Sequence, residues 1–164
     1  MATVEVSRRI PADAARLYAM IAEASQMDRW SPESAGARWV RGRSGEVGSR
    51  FRGRNRNGLF RWSTTCTVTA AEPGRRFGFA VTWLGMPISD WAFEFIPVEA
   101  GGAEAGCQVR ESTTDRRSRM LRILTPLGTG VPNRTEHNRR TMEQTLAALD
   151  RLSRPPVVPR NPGA

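Results

Sequence analysis

The sequence predicts an α+β fold: a curved seven-stranded antiparallel sheet wrapped around a long C-terminal helix, with two short helices after the first strand. Three observations carry this prediction. Apolar residues recur with a period of two in successive segments from Gly36 to Asp115, and turn residues separate the segments. A helical period returns over Asn133–Leu152. A shorter helical pattern lies between the first strand and the sheet-forming run.

Thr3–Ile10 sets Val4, Val6 and Arg8 against Glu5, Ser7 and Arg9, which is a strand. Pro11 stops it and suits the first turn of a helix. Ala14, Leu17, Tyr18 and Ile21 then share one helical face, and a second short helix is expected over Glu23–Asp28, ending near Ser31–Pro32.

The next strands are expected at Ala37–Val40, Gly48–Arg56 and Leu59–Ala71. The last two flank Asn57–Gly58, a strong two-residue hairpin signal. Folding there pairs Arg56 with Leu59, Asn55 with Phe60, Gly53 with Trp62 and Phe51 with Thr64, so that Gly53 makes room for the indole. One face then carries Phe51, Gly53, Asn55, Phe60, Trp62, Thr64, Cys66 and Val68. The opposite face carries Arg50, Arg52, Arg54, Arg56, Arg61 and the intervening Ser and Thr residues, a separation of apolar from polar.

Glu72–Gly74 is a turn. Arg75–Trp83 aligns Phe77, Phe79, Val81 and Trp83, and Gly85–Pro87 turns the chain again. Ile88–Pro97 aligns Trp91, Phe93 and Phe95. Glu99–Gly106 reads as a loop, and Cys107–Asp115 closes the strand series with Cys107, Val109, Glu111 and Thr113 on one side. Arg116–Leu124 is helical or irregular, followed by a run of breakers over Thr125–Pro132.

In the last helix Leu146 and Leu149 lie within about 40° of Met142, and Leu152 on the flank at about 80°. Thr135, Asn138 and Thr145 share the inward side. That stripe must bury itself against the concave face of the sheet, a helix-grip arrangement. The domain is expected to span 1–153, followed by a disordered Pro-rich tail at 154–164.

Composition bounds the function. The 164 residues carry 25 basic and 16 acidic side chains, a net charge of +9, and every basic one is arginine. No run of about 18 apolar residues suggests a membrane span and no signal-peptide pattern begins the chain, so a cytoplasmic protein is expected. One histidine and two separated cysteines offer no metal-ligand spacing, so neither metal nor cofactor is expected. Cys66 and Cys107 fall on non-neighbouring strands and are expected as free thiols. Helical phase puts His137 about 140° from Met142, near the solvent side.

The pattern V-x-V-S-R-R-I-P-A over 4–12 combines with M-D-R-W-S-P at 27–32 and G-x-R-F-R-G-x-N at 48–55. It continues with R-W-S-T-T at 61–65, E-P-G-R-R-F at 72–77 and the C-terminal helix. Across 2–153 the chain resembles the START/Bet v1-like (SRPBCC) superfamily and its bacterial polyketide cyclase/dehydrase-type members. The resemblance implies a pocket for a small hydrophobic molecule of polyketide, lipid or quinone type, either as a carrier or with acid–base cyclase/dehydrase chemistry.

A gripped, curved sheet encloses more volume than a few aromatic rings fill. The candidate ligand-binding residues are Trp30, Phe51, Trp62, Thr64, Phe79, Trp83, Trp91, Phe93, Asn138 and Met142. Asn55 and Glu111 add inward-facing polar groups. Glu111 is a candidate general acid or base because an apolar face raises its pKa, and Tyr18 is the second catalytic candidate. The other reading uses the outside: segment 36–62 has a net charge of +7, which suits a basic-surface adaptor binding nucleic acid or an anionic membrane through the arginines of 50–61. The hairpin turns the interleaved aromatics inward, away from bases, which makes nucleic acid the less favoured partner. A monomer or homodimer is expected.

Overall fold

In the computed structural model, residues 3–99 and 106–154 are described. The elements run β1 (Thr3–Ile10), α1 (Ala14–Ala22), a 3₁₀ helix (Ala24–Arg29), β2 (Ser34–Arg41), β3 (Arg50–Asn57) and β4 (Phe60–Glu72). They continue with β5 (Arg76–Trp83), β6 (Met86–Val98), β7 (Gly106–Asp115), α2 (Arg119–Thr129) and α3 (Arg134–Ser153). Most of the loop expected at Glu99–Gly106 and the tail beyond Arg154 lie outside the described residues.

The strands form one antiparallel sheet in the order β1-β7-β6-β5-β4-β3-β2. Alternation fixes its buried face: Phe51, Cys66, Val68, Phe77, Phe79, Phe93, Phe95, Cys107 and Val109 are all buried. Asp13 starts α1 by accepting the Arg16 amide at 2.9 Å, and α1 contributes Leu17, Tyr18 and Ile21 to the core. Asn133 caps α3 the same way toward Glu136, and Met142, Thr145, Leu146 and Leu149 are buried along it. Thr135, about two turns before Met142 on the same side, is exposed because the start of α3 runs past the packed core. Asp150, buried on α3, holds Arg8 of β1 at 2.9 Å and Arg154 at 3.1 Å.

Three expectations about local geometry are corrected. The β3–β4 hairpin turns on Gly58–Leu59, pairing Asn57 with Phe60, Asn55 with Trp62, Gly53 with Thr64 and Phe51 with Cys66. The turn has moved one residue along. The pairing therefore changes by two, and each side chain keeps its face. Gly53 does not make room for Trp62. Similarly, the β5–β6 turn is Leu84–Gly85, both with positive φ, and Met86 and Pro87 belong to β6.

The breaker run is instead helical. Ser118 caps α2 toward Leu121, and the helix continues through Pro126 to a left-handed Gly130. Pro126 removes only the hydrogen bond to the Arg122 carbonyl, and Arg122 is exposed to water. The cap closes with the Gly130 amide on the Pro126 carbonyl at 2.8 Å. Phe60 lies against Gly130, and the Asn57 amide donates to the Thr129 carbonyl at 3.0 Å, which seats α2 on the projecting start of β4. Among the described residues no helix is long and apolar enough to cross a membrane.

Candidate functional site

Sheet curvature and α3 enclose a cavity of about 130 Å³. Its walls are aromatic. Phe79 of β5 and Trp91 of β6 stack with centroids 6.5 Å apart, Phe51 of β3 meets Phe79 edge-on at 5.4 Å, and Trp30 meets Phe93 edge-on at 6.2 Å. Trp30 arrives on the loop after the 3₁₀ helix, which turns its ring inward. Trp62, Thr64 and Asn55 come from the β3–β4 hairpin, and the Asn55 amide donates to Thr64 Oγ1 at 3.3 Å. From α3, Asn138, Met142 and Thr145 close the other side.

Nine of the ten expected ligand-binding residues therefore line one space, and Trp83 is the exception. Trp83 shares the parity of Phe79 and Val81, but it stands at the end of β5 beside the turn and is 41% exposed. Tyr18 also lies off the cavity wall. Its ring packs edge-on against Phe77 and Phe95 in the core, and burial raises its hydroxyl pKa.

Glu111 does line the cavity. β1 and β6 flank β7 on both sides, with Val6 and Phe93 opposite Glu111, so the carboxyl is neither at a sheet edge nor beside an arginine. It is 3% exposed, and its Oε2 has no hydrogen-bond partner. Burial pushes its pKa well above the ordinary carboxylate range, which favours the protonated form, a hydrogen-bond donor. Trp30 Nε1 is a second buried donor without a partner. Two unsatisfied donors on one cavity wall represent a desolvation cost of about 1–3 kcal/mol each that an incoming acceptor would relieve.

The charged groups at the opening were not among the expected site residues. Glu33 accepts from Arg134 Nη1 at 2.6 Å and from His137 Nε2 at 3.0 Å. Burial raises the Glu33 pKa, but the His137 hydrogen bond and Arg134 outweigh it and hold the carboxyl below its usual range. His137 is thus engaged rather than free on the solvent side. The Arg134 guanidinium also lies 5.7 Å from the Trp62 ring centre. Asp115 grips Arg117 through two bonds at 3.0 and 2.9 Å, and Arg117 Nη1 reaches Thr125 Oγ1 at 2.6 Å. Arg122 Nε also meets Asp115 at 3.5 Å, so the charged groups at the opening are engaged in ion-paired clusters rather than free. Arg134 could have been found from helical phase, being four residues before Asn138. The partners of Glu33 lie more than a hundred residues away, and local spacing carries no signal for them.

Cys66 and Cys107 are buried free thiols on separate strands, and burial pushes Cys66 up to about 12. On the outer face, Arg50, Arg52, Arg54, Arg56 and Arg61 are exposed. The register sets Arg52 opposite Arg38, Arg50 opposite Arg41 and Arg56 opposite Arg61.

The fold and this enclosed site define the class: the chain belongs to the family described as polyketide cyclase / dehydrase and lipid transport, which matches residues 1–154. Solved structures share the fold. The di-domain ARO/CYC BexL from the BE-7585A biosynthetic pathway is similar at TM-score 0.64 and 19% identity, over 92% of this chain and 46% of that one, so this chain spans about half of BexL. Protein MLL2253 from Mesorhizobium loti is similar at TM-score 0.65 and 17% identity, over 92% and 96% of the two chains. The Polyketide_cyc-like protein Cgl2372 from Corynebacterium glutamicum is similar at TM-score 0.59 and 28% identity, over 92% and 90%. No curated protein matches the sequence.

Proposed function

We propose that this chain binds a small, neutral, largely apolar molecule with an oxygen acceptor at its buried end, in the cavity between the sheet and α3. The observation that carries this reading is Glu111, a buried carboxyl with an unpartnered oxygen on an aromatic wall, where desolvation favours the protonated form. A neutral ligand fits because burial disfavours charge on Glu111 and the charges at the opening are already paired. The cavity volume supports a ligand whose enclosed part is about one ring, since an apolar cavity of about 150 Å³ holds benzene. A polyketide, lipid or quinone-like molecule would place one ring or chain end inside and the remainder through the opening.

Binding is favoured over catalysis. Cyclisation or dehydration by proton transfer needs an acid and a base in reach of the ligand. Glu111 can supply a proton, but Glu33 and Asp115 are committed to arginine. The ARO/CYC description of BexL supports a cyclase reading only through the shared fold.

Two fluorescent probes that differ by one sulfonate test the proposal: neutral N-phenyl-1-naphthylamine and anionic 8-anilinonaphthalene-1-sulfonate. The neutral probe is expected to bind tighter, and Trp62→Ala to weaken it. Equal affinity for both probes, or unchanged binding in Trp62→Ala, would overturn the reading.

A second reading rests on the three arginine pairs facing each other across β2, β3 and β4. Like charges directly opposite destabilise a sheet, and a bound polyanion would relieve them. Steeply salt-sensitive DNA binding would support it, and its absence at low salt would remove it.

A further inference from the structure

The exposed apolar side chains are concentrated at one end of the molecule. Twelve large hydrophobic residues are exposed among those described, and eight sit at the end of the sheet where the cavity opens. Sheet register establishes the location. Ser89 of β6 pairs with Asp115 at the end of β7, Trp83 of β5 pairs with Met86 at the start of β6, and Thr82 pairs with Pro87. Thr65 of β4 faces Thr82, so the β3–β4 tip projects still further the same way. Leu59 and Phe60 occupy that tip, and Trp83 and Leu84 the neighbouring one. Leu84 keeps a bulky side chain at a φ of 49°, a left-handed conformation that such residues rarely adopt.

The α2 helix lies against the projecting start of β4 and adds the rest. Met120, Ile123, Leu124 and Leu127 follow the i, i+3, i+4, i+7 spacing of a single face, yet that face is turned to solvent, with Leu127 78% exposed and Ile123 74%. Only Leu121 of this helix is buried. Arg119 and Arg122 are exposed on the same helix, Arg56 and Arg61 on the hairpin, and residues 116–133 contain four arginines and no acid. The acidic groups at this end, Asp90, Asp115 and Glu33, are each held by arginine.

We propose that this end of the molecule docks on an anionic lipid bilayer, inserting the α2 stripe and the Leu59 and Leu84 tips while the arginines meet lipid phosphates. An apolar stripe edged with arginine is the pattern of an interfacial helix. A second copy of the chain is a poorer occupant, because it would bring the same positive charge to the contact. Docking would hold the cavity opening against the bilayer. That last consequence rests on the cavity reading above; the docking itself does not.

Vesicle co-sedimentation tests the proposal, with phosphatidylcholine alone and phosphatidylcholine containing phosphatidylglycerol. The full chain should pellet with the phosphatidylglycerol vesicles, and less so as salt rises. Ile123→Ser combined with Leu127→Ser should lower partitioning by about tenfold or more. Arg119→Glu with Arg56→Glu should abolish the preference for anionic vesicles. All four positions are solvent-facing, so melting temperature and neutral-probe binding should match the parent, which separates failed docking from a failed cavity. No binding to phosphatidylglycerol vesicles, or equal binding by the serine variant, overturns the proposal. So does a homodimer in sedimentation velocity that the serine variant dissociates.

Discussion

Replacing Glu111 by Gln removes one titrating group and nearly nothing else, so its effect on stability has a sign that can be worked out. In the folded chain the carboxyl is buried without a partner for Oε2 and keeps its proton. In the unfolded chain it ionises near its ordinary value of 4.5. Above that pH the native state binds one more proton than the unfolded state, so parent stability falls as pH rises, by about 1.4 kcal/mol per pH unit. The fall ends where the native group itself ionises. Glu111→Gln lacks this loss. In a domain of this size 1 kcal/mol moves the melting temperature by about 2–4 °C, so the variant should gain about 3–6 °C on the parent per pH unit within that window. Thermal melts of both proteins from pH 4 to pH 8 measure the difference, and all other groups cancel. Parallel curves would refute the reasoning. A variant that loses ground as pH rises would show that Glu111 is ionised and paired in the native state.

Glu33 should show the opposite sign. Its depressed pKa contributes stability above about pH 4.5 that is lost as pH falls through the folded value, so Glu33→Gln should destabilise at pH 7 and converge with the parent in acid, as urea titrations at both pH values would show. Gly130→Ala places a Cβ against the Phe60 ring at a φ of 67° and should cost about 1–3 kcal/mol in the same assay; an unchanged midpoint would contradict the α2 cap. Both cysteines should titrate as free thiols in denaturant and react slowly in the native protein. Fewer than two free thiols after unfolding would contradict the strand order.

The parts of the fold legible in the sequence were those set by periodicity. Parity alone turned Phe51, Trp62, Phe79, Trp91 and Phe93 inward, and it survived a hairpin turn that moved by one residue because a change of two in pairing preserves the face. Parity does not tell where along a strand the core ends, so Trp83 shares the parity of the wall yet stands beside a turn in solvent. The α2 helix was hidden by Pro126, Gly128 and Gly130, whose breaking character is weakened where the lost hydrogen bond belongs to an exposed carbonyl and the last glycine is itself the cap. The ion pairs at the opening join residues far apart in sequence, so they become visible only when α3 is laid over the sheet. Glu111 was legible as an inward carboxylate on β7; that it lacks an arginine partner required the neighbouring strands.

The central claim is that a neutral apolar molecule enters the cavity lined by Trp30, Trp62 and Trp91. The chain has five tryptophans, so five indole N–H signals report on it separately. Titrating the ¹⁵N-labelled protein with N-phenyl-1-naphthylamine should shift the indoles of Trp30, Trp62 and Trp91. Trp39, whose Nε1 donates to Glu23 at 3.1 Å, and exposed Trp83 should stay in place. Movement of Trp83 alone, with the three cavity indoles unmoved at saturation, would contradict the account.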